Sequence, residues 1–295
     1  MRKKNPMTDD KPMAPANLSI GSVLDSATRT LIPCSESARL DAELLLAHLL
    51  GKDRTYLRAW PEIVMSPVPS QQYAELIEAR KHGMPVAYLI TYRDFWSGRF
   101  KITPEVLIPR PETELLVEMS LARIPVGQAM SVLELGTGSG IIAISLAMER
   151  PEISILATDI SAAALEVARE NAEKHRITQI DFRICDWFES IPGKKFDLIV
   201  SNPPYVAKND PHLNQGDLRF EPKIALESGD FGLDALKTIA DNAREWMQAG
   251  GTLLLEHGYQ QAGALHELLH LFGYCEIRTR NDLQGHPRVT QACWA

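Results

Sequence analysis

Cysteine is scarce and scattered in this chain: Cys34, Cys185, Cys275 and Cys293 are its four, with no Cys-x-x-Cys pair. That pattern excludes a disulfide-stapled secreted scaffold and points to a reducing cytoplasm. Long apolar runs are lacking as well. The longest candidate, residues 44–50, is interrupted by His48 and falls far short of the roughly 20 residues a membrane-spanning helix needs. Residues 1–17 carry basic residues and prolines but no apolar stretch, so they read as a disordered tail and not as a secretory signal. Positive charge is not in excess either. A formal net charge of -7 argues against a protein that tracks nucleic-acid phosphates. No internal repeat is visible. What the chain does have is 295 residues with 45% hydrophobic content, enough for one large domain and one smaller one, each with its own core.

Residues 18–87 read as a small helical bundle. Ala38, Leu40, Ala42, Leu44, Leu45, Leu46, Leu49 and Leu50 recur at three-to-four spacing and stop at Gly51, and a second helix is expected after Pro67-Val68-Pro69-Ser70, with Ser70 as its cap and Gly83 at its end. Residues 88–130 read as a linker. In it Asp94-Phe95-Trp96-Ser97-Gly98-Arg99-Phe100 predicts a β-hairpin around a Ser-Gly turn, and Pro109-Arg110-Pro111-Glu112-Thr113-Glu114 opens a helix. From 131 to 295 strand and helix signals alternate, as in a doubly wound α/β fold with a mostly parallel sheet. Strands are expected near 131–135, 153–158, 180–184, 196–201, 251–256, 274–279 and 288–293. Residues 206–232, long, polar and proline-bearing, read as a functional loop.

Two motifs sit on this frame. Glu134-Leu135-Gly136-Thr137-Gly138-Ser139-Gly140 joins an apolar strand to an apolar helix. There the missing Cβ atoms let the backbone approach a ligand and the helix N-terminus offers free N–H groups. The spacing is Gly-x-Gly-x-Gly, with Ile141 where the dinucleotide fingerprint needs its third glycine. Asp159 ends the second strand, placed to accept from a ribose diol, and Asp186-Trp187 closes the third with a carboxylate for an adenine amino group and an indole face for its ring. Each feature has an ordinary structural reading, as turn, helix cap or core. Their joint order on successive strand ends favours S-adenosylmethionine over NAD.

The second motif, Asn202-Pro203-Pro204-Tyr205, follows the apolar run 196–200. Two prolines fix φ and remove two donors, so a stiff turn leaves the strand with its carbonyls free to accept. A planar, conjugated NH2 group is a poor nucleophile because its lone pair is delocalised. If Asn202 Oδ1 and the Pro203 carbonyl each accept one of its N–H groups, they aim the lone pair and stabilise the charge that develops on nitrogen. Tyr205 is expected to pack its ring against the target. The pattern predicts amino-group methylation.

His266-Glu267-Leu268-Leu269-His270 spells a zinc-hydrolase signature. Gly273 ends that helix with no third-ligand continuation, and its leucines read as an amphipathic face packed on the sheet, so no metal is expected.

At these residues the chain resembles the release factor glutamine methyltransferases, which methylate the side-chain amide of the glutamine in the Gly-Gly-Gln motif of class I peptide-chain release factors. The likeness covers nearly the whole chain. It rests on the Phe95-Trp96 hairpin, Leu107-Ile108-Pro109-Arg110-Pro111-Glu112-Thr113-Glu114, the glycine loop, Asp186-Trp187-Phe188, the Asn-Pro-Pro-Tyr turn, and Asp210-Pro211-His212-Leu213 through Arg219-Phe220-Glu221-Pro222. The turn is shared with adenine methyltransferases and with a paralogue acting on a ribosomal protein, whereas the last stretch resembles the release-factor branch. The resemblance implies a Rossmann-like class I methyltransferase fold with a seven-stranded sheet, preceded by a helical bundle and a hairpin linker. It implies that Glu134, Gly136, Thr137, Gly138, Ser139, Gly140, Asp159, Asp186, Trp187 and Asn202 bind S-adenosylmethionine and that Asn202, Pro203, Pro204 and Tyr205 hold the glutamine. It also implies that the N-terminal domain grips the release factor, with no direct nucleic-acid or membrane partner. One departure is visible: Tyr92 stands where the family commonly has glycine. An adenine methyltransferase and a cofactor-sensing module remain alternatives.

Overall fold

A computed structural model describes residues 18–191 and 193–295; the tail expected at 1–17 lies outside the described residues. The chain divides into two compact units, with the boundary along the chain between Ile90 and Thr91.

The first unit is helical: α1 (Ile20–Leu31), α2 (Ala38–Leu50), α3 (Arg54–Ala59), α4 (Pro67–Lys81) and α5 (Val86–Ile90). α1 starts where Ser19 Oγ accepts from the Ser22 N–H (3.3 Å), and it buries Ile20, Val23, Leu24, Ala27 and Leu31 along one face. α2 ends on Gly51 at φ 60°, a left-handed conformation that a residue without Cβ adopts at little cost. Ser70 is not the cap of α4. The helix begins at Pro67 behind Ser66, because proline is tolerated at a first helical position, and the Ser70 hydroxyl donates to the Ser66 carbonyl (3.0 Å). The apolar rhythm of α2 also hides two buried acids. Asp41 accepts from Arg80 Nε (2.8 Å), and Glu43 accepts from Arg39, Arg54 and Arg58 (3.1, 2.9 and 3.0 Å). Burial pushes the Glu43 carboxyl up, but the three guanidiniums outweigh it and hold it below the usual carboxylate range.

The second unit opens with a hairpin of β1 (Tyr92–Phe95) and β2 (Gly98–Lys101). Phe95 lies opposite Gly98, so the tight loop is Trp96-Ser97 and not Ser97-Gly98. Trp96 takes φ 53°, with its N–H donating to Glu114 Oε1 (3.0 Å) and its indole N–H to Glu149 Oε1 (2.9 Å). Gly98 is needed within the strand, where a Cβ would meet the Phe100 ring at 2.8 Å. Tyr92 fits as ordinary strand, with the Arg99 guanidinium 4.2 Å from its ring centroid; the positive φ falls on Thr91, at 63°. The hairpin falls within the second unit. Asn171 accepts from the Lys101 N–H (2.6 Å) and donates to the Lys101 and Ser139 carbonyls (3.1 and 2.9 Å).

A 3-10 turn (Pro111–Thr113) and α6 (Glu114–Arg123) lead into alternating elements: β3 (Ser131–Leu135), α7 (Ile141–Glu149), β4 (Ser154–Asp159), α8 (Ala162–Lys174), β5 (Ile180–Ile184) and β6 (Phe196–Ser201). After the long loop come α9 (Asp234–Trp246), β7 (Met247–Glu256), α10 (Ala262–Leu271), β8 (Cys275–Asn281) and β9 (Pro287–Cys293). The seven strands form one sheet in the order β5-β4-β3-β6-β7-β9-β8, parallel from β5 to β7, with β9 antiparallel to β7 and β8. β4 lies on one side of β3 and β6 on the other, so the chain order reverses there and a crevice opens at the carboxyl ends. Leu133, Leu135, Ile199, Leu253 and Leu255 pack against Leu236, Ile239, Leu265 and Leu269 beneath that edge. Each such side chain contributes about 1.5–3 kcal/mol, which makes the strand ends a rigid platform. The loop at 206–232 contains 3-10 turns at Pro211–Asn214, Leu218–Phe220 and Lys223–Ala225, then returns to its own start: the Val206 N–H donates to the Leu226 carbonyl (2.9 Å) and the Ser228 N–H to the Val206 carbonyl (2.8 Å). No described helix is long and apolar enough to cross a membrane.

Candidate active site

A cavity of about 400 Å³ occupies the crevice, within the range of roughly 300–1,000 Å³ typical of small-molecule sites. Gly136, Thr137, Gly138 and Ser139 form one wall, and Asp159, Asp186 and Trp187 line it from the ends of β4 and β5. The three glycines all take positive φ, at 69°, 55° and 81°, but for different reasons. A Cβ on Gly136 or Gly138 would stand in open space, whereas a Cβ on Gly140 would meet Ala168 Cβ at 3.1 Å and Ile144 Cδ1 at 3.0 Å. The first two leave room for a ligand. The third lets α7 pack against α8.

Two carboxylates organise this loop from below. Asp159 Oδ2 accepts from the Gly138 N–H (2.8 Å) and Oδ1 from the Ser161 N–H (2.9 Å); burial still raises its carboxyl above the ordinary value. Glu134 Oε2 accepts from the Thr137 hydroxyl (2.7 Å) and the Ala143 N–H (3.1 Å), while its Oε1 is buried with no partner. Burial pushes the Glu134 carboxyl up to about 8, against those two hydrogen bonds. Neither Glu134 nor Gly140, both expected at the cofactor, lines the cavity; Glu134 holds the loop from behind through Thr137 and Ala143, and Gly140 faces α8.

The Asn-Pro-Pro-Tyr turn leaves β6 at the same edge. Asn202 and Pro204 line the cavity with Thr113, and Asn202 Nδ2 donates to Thr113 Oγ1 (3.2 Å), which leaves Oδ1 to accept from something else. Tyr205 does not share that wall. Its ring packs on the core and its hydroxyl donates to Glu256 Oε1 (3.2 Å) at the end of β7. Pro203 is buried, and neither it nor Tyr205 lines the cavity. Gln261 Nε2 donates to the Tyr205 and Gly232 carbonyls (3.0 Å each), clamping the far end of the turn. Burial raises the Tyr205 phenol above its ordinary value.

Other parts of the site were not foreseen from residue pattern. Glu105, Val106, Leu107 and Pro109 close the cavity on one side, and Ile224, Ala225 and Glu227 on another. Glu221 joins the two walls: its Oε2 accepts from the Ile108 N–H (3.0 Å) and its Oε1 pairs with Arg110. Burial raises the Glu221 carboxyl despite that guanidinium. Thr113 and Glu256 were also missed. The signal for Glu256 was an acid ending a buried apolar run, Leu253-Leu254-Leu255-Glu256, at the carboxyl edge of the sheet.

The His-Glu-x-x-His segment lies on α10 away from the cavity, with His266 Nε2 against Thr279 Oγ1 (2.9 Å). Among the described residues no cluster of three or more His, Cys, Asp or Glu side chains could hold a metal ion.

Comparison with known proteins places this geometry. The family described as "Methyltransferase small domain" matches residues 111–217, and the "PrmC N-terminal domain" family matches residues 22–90. A release factor glutamine methyltransferase of Xylella fastidiosa (strain 9a5c) is 48% identical over 252 residues, covering 85% of this chain and 92% of that relative. The release factor glutamine methyltransferase of Escherichia coli (strain K12) is 44% identical over 259 residues, covering 88% of this chain and 93% of that relative. A solved protein-(glutamine-N5) methyltransferase (release factor-specific) of Alicyclobacillus acidocaldarius shares 29% identity, covers 66% of this chain and 99% of that one, and superimposes with a TM-score of 0.39. With relatives this similar over most of both lengths, the chain belongs to the release factor glutamine methyltransferase family.

Proposed function

We propose that this chain transfers the methyl group of S-adenosylmethionine to the side-chain amide nitrogen of the glutamine in the Gly-Gly-Gln motif of class I peptide-chain release factors, and so modulates translation termination in the cytoplasm. The observation that carries this reading is the Asn202 carboxamide. Its Nδ2 is taken by Thr113 at the cavity wall, so the end left over is an acceptor.

S-adenosylmethionine is the cofactor, and when bound it supplies an electrophilic methyl group on a sulfonium. The residues present fit it. The open faces of Gly136 and Gly138 admit its body, Asp159 suits a ribose, and Asp186 with the Trp187 indole suits an adenine. The chain's part in the chemistry is positioning and charge stabilisation. Asn202 Oδ1, the acceptor at the cavity wall, holds an N–H of the target carboxamide, draws its lone pair out of conjugation and stabilises positive charge on nitrogen, while the buried Pro203 stiffens the turn that carries it. An N-alkylated amide cation is strongly acidic, so water can take its proton and no protein base is required. Tyr205 holds the turn by its anchored hydroxyl; a stacking role for its ring is not supported by its packing on the core.

The first unit suits a protein partner, since Trp60, Ile63 and Val64 are exposed in succession along the segment after α3. The test is mass spectrometry of a release factor incubated with the protein and S-adenosylmethionine, beside DNA and RNA arms. One added methyl on the glutamine is expected. Methyl transfer to adenine in nucleic acid, with the glutamine untouched, would overturn the reading.

A further inference from the structure

Residues 102–110 form no helix or strand, yet Val106, Leu107 and Pro109 give the cavity one of its walls. A second wall, Ile224, Ala225, Glu227 and Ser228, comes from the long loop after β6 and is built on the 3-10 turn Lys223–Ala225. Neither wall belongs to the sheet. Glu221 lines no part of the cavity and its side chain has no exposed surface, but it holds the two walls to each other: Oε2 accepts from the Ile108 N–H (3.0 Å) and Oε1 from Arg110 Nη2.

These bonds close a ring that passes through Asn202. From Asn202 Nδ2 the path crosses to Thr113 Oγ1 (3.2 Å), runs through the Thr113 N–H to the Arg110 carbonyl (3.1 Å), and passes from Arg110 and Ile108 to Glu221. It then follows the chain to Leu226 and Ser228, which bond the Val206 N–H and carbonyl (2.9 and 2.8 Å), and Val206 leads back through Tyr205 to the turn. Glu221 and Ile108 are 113 residues apart, so this tie is the one link of the ring that neither wall could make alone. The Gly136–Gly140 loop and Asp159 lie outside the ring and are held by bonds of their own. A buried ion pair adds little net stability, because desolvation offsets most of the attraction, but a carboxylate whose two oxygens each have a partner fixes where both partners stand.

We propose that Glu221 is a positioning residue for the target carboxamide: by holding Ile108 and Arg110 it sets the spacing of the two walls that flank Asn202, and so the angle at which the target side chain meets Asn202 Oδ1. It acts through the walls and lines no part of the cavity itself. Its effect on rate rests on the amide-methylating reading above. The ring needs no substrate and is measured without one.

Two readouts on the full chain test this. In Glu221→Gln the new side-chain oxygen can still accept from Ile108, but its NH2 meets the Arg110 guanidinium donor to donor. There kcat for release-factor methylation is expected to fall about 10- to 100-fold, as for a misplaced reacting group, while S-adenosylmethionine binds with unchanged stoichiometry and a Kd within about twofold by calorimetry. Arg110→Met is expected to lose a similar factor, and the double variant to be no worse than either single one, since all three break one link. An unchanged kcat, cofactor affinity that falls in step with kcat, or losses that multiply in the double variant would overturn the proposal. The second readout is hydrogen exchange without substrate. In Glu221→Gln the Val206 and Ser228 N–H groups, at the far side of the ring, are expected to exchange at least about threefold faster, with Gly138 and Ala143 unchanged. Equal rates at Val206 and Ser228 in both proteins overturn the proposal whatever the substrate proves to be. If Glu221→Gln fails to fold, Arg110→Met carries the same two measurements. Failure of the unaltered protein to methylate the release factor counts against the function proposed above, and leaves hydrogen exchange to decide on Glu221.

Discussion

Gly138 and Gly140 sit two residues apart in one loop, both at positive φ, and the same substitution is expected to damage the protein in two different ways. Alanine at φ 55° or 81° costs about 1–2 kcal/mol of backbone strain at either position. At Gly140 the new methyl would also lie 3.1 Å from Ala168 Cβ and 3.0 Å from Ile144 Cδ1, with the Ala168 Cα at 3.3 Å. The Ile144 tip can swing, but α8 cannot move without disturbing its packing on the sheet. Overpacking of that kind adds about 1–3 kcal/mol. The total, about 2–5 kcal/mol, corresponds to a fall in Tm of about 5–15 °C for a unit of this size. At Gly138 the methyl meets nothing within 4 Å and points into open space, so only the strain remains. There the expected loss of Tm is about 2–6 °C, and the main damage falls on S-adenosylmethionine affinity, because the methyl occupies cavity that the ligand needs. Differential scanning calorimetry and titration calorimetry on both variants measure the two effects. Gly140→Ala with an unchanged Tm, or Gly138→Ala with an unchanged Kd, would refute the division of roles.

Three further outcomes follow from the site. Asn202→Ala is expected to keep S-adenosylmethionine affinity while kcat falls on the order of 100-fold or more, as for loss of one preorganised partner of a developing charge; single-turnover assays with full activity would dismiss its role. Asp159→Ala is expected to weaken cofactor binding by roughly 1.5–3 kcal/mol, and because Asp159 also holds the Gly138 N–H, hydrogen exchange at Gly138 should quicken; unchanged exchange would remove the loop-organising role. Burial raises the carboxyls of Glu134 and Glu256 to about 8 and about 7. Their folded values lie above the unfolded one, so the stability they contribute is full below the ordinary glutamate value and is lost as pH rises through the folded values. The ligand-free protein is therefore expected to lose Tm between about pH 5 and pH 8, with a flatter profile in Glu134→Gln; an equal slope in both proteins would count against the assignment.

The strand at 131–135, the helix at 141–149 and the strand at 196–201 were legible in the chain because burial on a parallel sheet demands continuous apolar runs, and glycine, proline and acid mark where each run ends. The glycine loop, Asp159 and Asn202 were legible for a related reason: they sit at strand ends, and a doubly wound sheet brings its carboxyl ends to one edge whatever the intervening sequence. Local signals were weaker guides to boundaries. Ser70 looked like a cap as well as Ser66 does, and the hairpin loop fell one residue early because Glu114, far along the chain, holds Trp96 at positive φ.

The sequence by itself therefore determined the order of elements and the identity of the two motifs, since both depend on residues close together in the chain. Only the tertiary structure decided which way the motif side chains face. Tyr205 turned to the core because Glu256 waits there at the end of another strand, Asn202 is oriented by Thr113, and Glu221 reaches back to Ile108 and Arg110. Each of these is a hydrogen bond between distant segments whose donor or acceptor is hidden from water. No local pattern encodes such a pairing, because the need to satisfy a buried polar group arises only once the sheet has brought the partners together.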